Sequence, residues 1–335
     1  MKCLCCGKEI PDKASAWEKE MQWHVSCVRR FFGTSTLPDL DISEDTLTRI
    51  AVESISMGFT VPGVQKKMSL HLTSDGVHPR LTLVNYPTGF ILKPQTEYYE
   101  ALPEAEYLVM QMAQKTGIAT VPHALIRMAG DETTYAYITK RIDRILPTKK
   151  DPTLKMLAME DFCQLEQRLT ENKYQGSYER CAKVISRYSE LPGLDLSELF
   201  FRVVFSFVVG NSDMHLKNFS LIETAAGSQR YVLSEAYDML PVNMILPEDD
   251  EQLALTVNGK KHNIRRNDFL KFAETSGISR DAAMKMIRKI LSLKEQYLQM
   301  CEQSFLPAHL KQRFCSLIEE RTKALTPGAG YVTTE

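Results

Sequence analysis

The hydrophobic pattern of this 335-residue chain changes period once, and that change limits what it can fold into. Between Thr60 and Lys140, short apolar runs alternate with turn signals: Met68 to Leu72, Leu81 to Val84, Phe90 to Lys93, Leu125 to Met128 and Tyr135 to Lys140. Period-two or continuous runs of this length read as strands. One helix interrupts them, from about Glu104 to Thr116, where Leu108, Met112 and Ala113 share a face and Gly117 stops the run. After Asp143 the period becomes helical, in Met159 to Gln167, Tyr178 to Ser189, Leu196 to Val209, Asn267 to Thr275, Arg280 to Cys301 and Pro307 to Leu325. The pattern predicts an α+β, bilobal fold. A segment over 1–36 precedes a strand-rich N-lobe over 37–140; an all-helical C-lobe over 141–325 and a tail over 326–335 follow.

With 44% hydrophobic residues the chain can bury two modest cores. Its 41 basic and 42 acidic side chains give no electrostatic reason for tight binding to nucleic acid or to an anionic membrane. Met1 leads straight into Lys2-Cys3-Leu4-Cys5-Cys6, without the apolar stretch of a signal peptide. The longest apolar tract, Leu199 to Val209, is interrupted by Arg202 and Ser206 and is too short to span a bilayer. A cytoplasmic protein is expected, its eight Cys serving as reduced thiols or metal ligands.

The chemistry lies in a ladder of oxygen donors. Asp213, in Gly-Asn-Ser-Asp-Met-His-Leu-Lys-Asn-Phe (210–219), is followed five residues later by Asn218 and twenty after that by Asp238. Phosphoryl transfer needs one carboxylate to orient the attacking hydroxyl, and an amide with a second carboxylate to hold Mg²⁺ against the phosphates. The spacing is that of a kinase catalytic loop and, with the two lobes, points to a protein-kinase-like fold, although the His-Arg before the first Asp and the Phe-Gly after the metal Asp are missing. The helix ending at Gly210 would release Asp213 into a loop at a cleft floor. Two short strands, Phe219 to Ile222 and Arg230 to Leu233, would deliver Asp238 opposite Asn218. Upstream, the loop of 58–67 feeds a strand, so that its amides could approach phosphates and Lys66 or Lys67 neutralise them; a Pro-Gly pair is also an ordinary turn. Lys93, on an apolar strand, needs an anionic partner, a phosphate or Glu106 on the next helix; alternatively it snorkels to solvent before Pro94, and Glu106 lies on a solvated face.

In order along 54–245, Thr-Val-Pro-Gly-Val-Gln-Lys-Lys, Phe-Ile-Leu-Lys-Pro, Lys-Arg-Ile-Asp-Arg, the Asp213 block and Tyr-Asp-Met-Leu-Pro resemble the successive blocks of HipA-type serine/threonine kinases, the toxins of bacterial toxin–antitoxin modules. The resemblance implies a phosphate loop at Pro62, Gly63, Val64, Gln65, Lys66 and Lys67, and a nucleotide contact at Lys93. It implies hinge backbone at Lys140, Arg141 and Ile142, where the family usually carries an aromatic residue in place of Ile142. It also implies Asp213 as base, His215 and Asn218 near the phosphates, and Asp238 on Mg²⁺. Only about 55 residues precede the phosphate loop, which looks more like HipT, the short kinase of three-component modules. That likeness implies autophosphorylation at Ser54 or Ser56, with Thr60 where long HipA kinases carry theirs; plain exposed hydroxyls at a helix end from Glu44 are the alternative. An aminoacyl-tRNA synthetase as substrate, a small antitoxin supplying the missing subdomain and a helix-turn-helix DNA-binding partner follow from the same likeness. Other readings are a small-molecule phosphotransferase of the aminoglycoside-kinase type, which would lack Gln-Lys-Lys, and a zinc-ribbon regulator whose body only binds ATP.

Cys3-x-x-Cys6 and His24-x-x-Cys27 form a second constellation. Two pairs of soft ligands around a turn at Gly7 suit tetrahedral Zn²⁺ in a structural knuckle, with Cys5 able to replace Cys3; a Cys-rich start that binds nothing is the alternative.

Overall fold

Near-continuous burial along Phe90–Pro94 sets the core of the first sheet: Phe90 and Leu92 are fully buried, and Lys93 is buried with them. This strand, β4, belongs to a six-stranded sheet with β1 (Asp39–Leu40), β2 (Met68–Ser74), β3 (Pro79–Thr82), β5 (His123–Met128) and β6 (Asp131–Lys140). The order is β1-β3-β2-β4-β6-β5, with β1 parallel to β3 and every other pairing antiparallel. The register opposes Lys93 to Tyr137 and Phe90 to Lys140. The computed structural model describes residues 1–40, 67–74, 79–82, 88–128, 131–147, 151 and 153–327, with the side chains of 74 and 131–133 left aside. Pro62, Gly63, Val64, Gln65, Lys66, Ser54, Ser56, Thr60 and the helix expected from Glu44 lie outside the described residues.

The chain divides into two compact units, one of Met1–Tyr107 with Val121–Leu154 and one of Leu108–Thr120 with Lys155–Glu335. In the first, two short helices precede the sheet: α1 (Ala16–Met21), opened by a Ser15–Glu18 capping box, and α2 (Val25–Phe32), closed by Gly33 at φ +77°. Phe31 and Phe32 pack on Phe90 of β4, their rings 5.9 and 5.4 Å from it, and Trp23 packs on both of them. Helix α3 (Leu102–Thr116) begins in this unit and ends in the other, where the Thr116 hydroxyl meets Tyr297 OH at 2.6 Å. Two-residue strands β7 (Arg144–Ile145) and β8 (Lys155–Met156) fall where one unit gives way to the next.

The second unit is built on α6 (Pro192–Val208), whose residues from Leu199 to Val208 are all buried. Phe200 stacks on Phe272 at 5.7 Å and Phe207 meets Phe269 edge-on at 5.3 Å, both partners belonging to α8 (Arg266–Thr275). The unit is not the all-helical lobe that the overall pattern predicts: the two short strands expected at 219–222 and 230–233 are present, and a third joins them. Met159–Asp161 (β9), Ser220–Glu223 (β10) and Tyr231–Leu233 (β11) form an antiparallel sheet in the order β11-β10-β9. The run from Met159 to Gln167, expected as one helix, is split: β9 pairs Met159 with Ile222, and the one-turn helix α4 (Phe162–Leu165) starts only at the Asp161–Gln164 capping box. Backbone pairing offered by β10 outweighs local propensity there. The expected helix from Arg280 to Cys301 is also two, α9 (Arg280–Ser292) and α10 (Lys294–Glu302), divided at Leu293. Helices α5 (Tyr178–Tyr188), α7 (Val242–Ile245) and α11 (Ala308–Leu325) complete the unit. No helix among the described residues is long and apolar enough to cross a membrane.

Candidate active site and a cysteine–histidine cluster

The loop after α6 is folded by its own polar side chains. Gly210 takes φ +66°, and a Cβ there would stand 2.5 Å from Leu317 Cδ2, so the chain can turn out of the helix here only at glycine. Asn211, fully buried, accepts the Asp213 amide at Oδ1 (3.3 Å) while its own amide returns to the Ser206 carbonyl. The Asp213 carbonyl accepts the Asn218 side-chain amide at 2.9 Å and the His215 backbone amide at 2.8 Å. Asn218 is thereby fixed with its nitrogen turned to the backbone, and its side chain is 4% exposed. The Asp213 side chain is 46% exposed, the only one of this trio open to a protein-sized reactant, and His215 Nε2 lies 4.0 Å from its Oδ1.

Asp238 follows β11 at φ +58°, a left-handed conformation that costs a non-glycine residue about 1–3 kcal/mol. The turn that imposes it is held on both sides. Ala236 donates to the Ala119 carbonyl at 2.7 Å, and the Tyr237 hydroxyl donates to the Lys217 carbonyl at 3.0 Å and meets Ser220 Oγ at 2.6 Å. Lys217 is drawn to Asp161 of β9 at 2.7 Å. The second sheet, two of whose strands the sequence marks and whose third, β9, it does not, is therefore the frame from which Asn218 and Asp238 are presented.

Two features of this loop carry no sequence signal. The Tyr174 hydroxyl donates to Asp213 Oδ1 at 2.6 Å, and its ring meets His215 edge-on at 5.1 Å. Burial and the neighbouring Asp213 charge push the phenol above its ordinary pKa, so it remains a donor. Ser212 donates to Asp249 at 2.6 Å, and Asn243 bridges Ser212 to the Asp249 and Glu251 carbonyls while accepting from Arg321 of α11.

In the first unit Lys93 Nζ lies 2.5 Å from Glu106 Oε1, the two side chains 4% and 1% exposed, and 5.3 Å from the Tyr137 ring centroid. The snorkelling alternative for Lys93 and the solvated one for Glu106 are thus both excluded. Of the residues expected to form a hinge, the Lys140 and Arg141 amides are taken by the Pro122 and Gly89 carbonyls, and the Arg141 guanidinium grips Asp143 through two bonds of 3.0 and 2.7 Å. Burial opposes ionisation of Asp143, yet Arg141 and Arg144 outweigh it and hold the carboxyl below its usual range. Ile142 is half-buried in the turn. Lys67, the only residue of the expected phosphate loop among those described, is exposed just before β2.

The N-terminal cluster also assembles. The ligand atoms of Cys3, Cys6, His24 and Cys27 all lie within 4.8 Å of one another, with His24 Nδ1 3.4 Å from Cys6 Sγ and 3.9 Å from Cys27 Sγ. A tetrahedral Zn²⁺ bonded to sulfur and imidazole holds its ligand atoms about 3.5–3.8 Å apart. His24 Nε2 faces the Glu9 carbonyl at 3.3 Å, a contact that places the proton on Nε2 and leaves Nδ1 as the lone-pair donor. The His24 amide and the Arg30 guanidinium donate to Cys3 and Cys27 sulfur at 3.4 and 3.5 Å, as bonds to thiolates do.

A loop that carries one open carboxylate and a fixed amide, followed by a second carboxylate at positive φ, on a mixed α/β frame, defines a class before it defines a protein. The chain belongs to the HipA-like C-terminal domain family, whose profile matches residues 59–297. Among its relatives, the "Putative kinase" of Haemophilus influenzae is 25% identical over 81% of this chain and 82% of its own length. Y4dM of Sinorhizobium fredii, named in the same way, is 28% identical over 70% of this chain and 58% of its own. The fold is also that of HipA from Shewanella oneidensis MR-1, solved with HipB and its operator DNA (TM-score 0.65, 18% identity, 83% of this chain and 70% of that one). It resembles the Helicobacter pylori proinflammatory kinase CtkA as well (TM-score 0.52, 15% identity, 73% of this chain and 87% of that one).

Proposed function

We propose that the chain is a Mg·ATP-dependent serine/threonine protein kinase, acting as the toxin of a bacterial toxin–antitoxin module. The observation that carries the reading is the buried Lys93–Glu106 pair at 2.5 Å. Removing two charges from water to join them brings little or no net stability, whereas a lysine so oriented is the group that grips ATP phosphates in kinases. Asp213 orients the substrate hydroxyl and accepts its proton, with Tyr174 holding the carboxylate in place. Asn218 and Asp238 offer an amide oxygen and a carboxylate, hard donors suited to Mg²⁺. The ion would neutralise charge on the phosphates, and His215 lies beside them. Pro62 to Lys67 are the phosphate loop, with autophosphorylation at Ser54, Ser56 or Thr60, and the backbone of Lys140 to Ile142 meets adenine. Cys3, Cys6, His24 and Cys27 hold a structural Zn²⁺.

The substrate in this reading is an aminoacyl-tRNA synthetase, modification of which stalls translation in the cytoplasm. The partners in this reading are a small antitoxin and a helix-turn-helix protein; what supports an antitoxin partner is the HipA–HipB–operator complex of the structural relative. Autoradiography of purified chain and a bacterial lysate with labelled ATP is the test. Protein bands should carry the label, and Asp213→Asn and Asp238→Asn should each lose at least about 10²-fold in transfer. Near-normal transfer by Asp213→Asn ends the assignment, and label confined to small molecules moves it to the aminoglycoside-kinase type.

A further inference from the structure

The first 36 residues cannot fold by themselves. Helices α1 and α2 have six and eight residues, below the length of about 12–15 at which an isolated helix becomes even marginal. Their apolar interior is little more than Leu4, Ile10, Trp23, Val28, Phe31 and Phe32, and chains under about 40 residues need a metal or disulfide to order them. Yet this segment closes the sheet that carries Lys93. Strand β5 is an edge of that sheet, and its Leu125 amide donates to the Leu4 carbonyl at 2.9 Å, one residue from Cys3. Arg127, on the same strand, donates to the Glu20 carbonyl at 3.2 Å.

A continuous line of contacts leads from the cluster to the lysine. The Tyr107 hydroxyl reaches the Cys3 carbonyl at 3.5 Å, and Tyr107 is the residue after Glu106. Its ring meets His123 edge-on at 5.9 Å, His123 stacks on Tyr137 at 6.1 Å, and Lys93 lies over Tyr137, its partner across the sheet. A second line runs from Cys27 along α2 to Phe31 and Phe32, which pack on Phe90, three residues before Lys93.

Resting on the zinc and nucleotide assignments above, we propose that Zn²⁺ at Cys3, Cys6, His24 and Cys27 positions the Lys93–Glu106 pair, so that metal occupancy and ATP affinity are coupled. The ion fixes the segment, the segment fixes Tyr107, Phe90 and the β5 edge, and these fix the pair. Such coupling is reciprocal: if zinc tightens Mg·ATP, Mg·ATP must retain zinc by the same factor.

The experiment uses purified full-length chain. Wild type should carry about one zinc per chain and, reloaded with Co²⁺, show the visible absorption of a tetrahedral thiolate site. Wild type stripped with 1,10-phenanthroline, then freed of chelator, should bind Mg·ATP at least about fivefold more weakly, and added Zn²⁺ should restore the affinity where added Mg²⁺ does not. Cys6→Ser should behave as stripped protein and Cys5→Ser as wild type. Since stripped and reloaded wild type are one polypeptide, a folding defect in a variant cannot imitate the result. In a Lys93→Met background, stripping should change residual ATP affinity less than twofold, which separates positioning from general loosening. No zinc and no cobalt spectrum in wild type overturns the zinc assignment, and zinc present with unchanged affinity on stripping overturns the coupling alone. Wild type that carries zinc but binds no Mg·ATP overturns the nucleotide assignment and the coupling with it. An equal effect of stripping in the Lys93→Met background refutes the positioning role.

Discussion

Asp213 presents two carboxylate oxygens of unequal standing, because Tyr174 already donates to Oδ1 at 2.6 Å. A carboxylate pinned at one oxygen has its orientation set before a substrate arrives, and orientation is where much of the advantage of phosphoryl transfer lies. Tyr174→Phe keeps the ring against His215 and removes only the donor. The expected result in steady-state kinetics is a fall in kcat of about tenfold with KM for ATP within twofold of wild type; a rise in KM with kcat intact would place Tyr174 in nucleotide binding instead. The spacing of Asp213, Asn218 and Asp238 was legible in the sequence because local chain geometry dictates it. Tyr174 was not, since it reaches Asp213 across 39 residues through a fold that no motif encodes. Glu106 stood between: its place on the helix after Lys93 raised the pairing, but Glu104 on the same helix left a solvated face as credible, and only burial decides it.

At the scale of elements, the loop bearing Asp213 depends on how α6 ends. Gly210 at φ +66° accepts the Asn243 amide at its carbonyl, and a side chain there would meet Leu317 Cδ2 at 2.5 Å and Asn243 Cβ at 3.3 Å. Gly210→Ala should therefore cost about 1–3 kcal/mol, through positive φ and displacement of Leu317. That corresponds to a fall in the far-UV melting midpoint of several degrees, with weaker transfer even where the protein remains folded; a variant as stable and active as wild type would show the turn to be tolerant. Strands β2 to β6 of the first sheet were readable because short apolar runs between turn signals are local, whereas the two-residue parallel strand β1 carries no such mark. The elements that escaped are those whose cause is distant or unmarked. Met159–Asp161 becomes a strand because β10 lies beside it, the break at Leu293 has no glycine or proline to announce it, and Gly193 near the start of α6 disguised a helix that begins at Pro192. Helices α1 and α2 are too short for periodicity to declare, although the Ser15–Glu18 box that starts α1 is a sequence signal.

For the molecule as a whole, the pH dependence of stability can be read unit by unit, because both tryptophans, Trp17 and Trp23, belong to the first unit and their fluorescence reports it alone. Glu104 sits in that unit, and burial first, with the nearby Glu100 charge adding to it, raises its carboxyl pKa to about 7. A folded pKa above the unfolded value of 4.5 means that the native state holds the proton more tightly. The native form then binds more protons than the unfolded chain between those values, so its stability falls as pH rises through them. The protonated side chain costs nothing electrostatic at pH 4.5, whereas at pH 8 a charge sits partly buried, opposing folding by about 1–3 kcal/mol after allowance for its partial exposure. His123 works in the opposite sense: burial lowers its pKa to about 4, so its neutral form supports the fold above the ordinary 6.5 and that support is lost as pH falls toward 4. A wild-type profile mixes the two slopes, and comparison with Glu104→Gln isolates one of them. Glutamine keeps the shape and carries no proton equilibrium, so the fluorescence midpoint of the variant should exceed that of wild type by a few degrees at pH 8. The excess should shrink steadily below pH 7 and vanish near pH 5, while the far-UV transition, dominated by the helices of the second unit, moves less. A difference that stays constant from pH 5 to pH 8 would mean that Glu104 titrates at its ordinary value and that its burial carries no electrostatic cost.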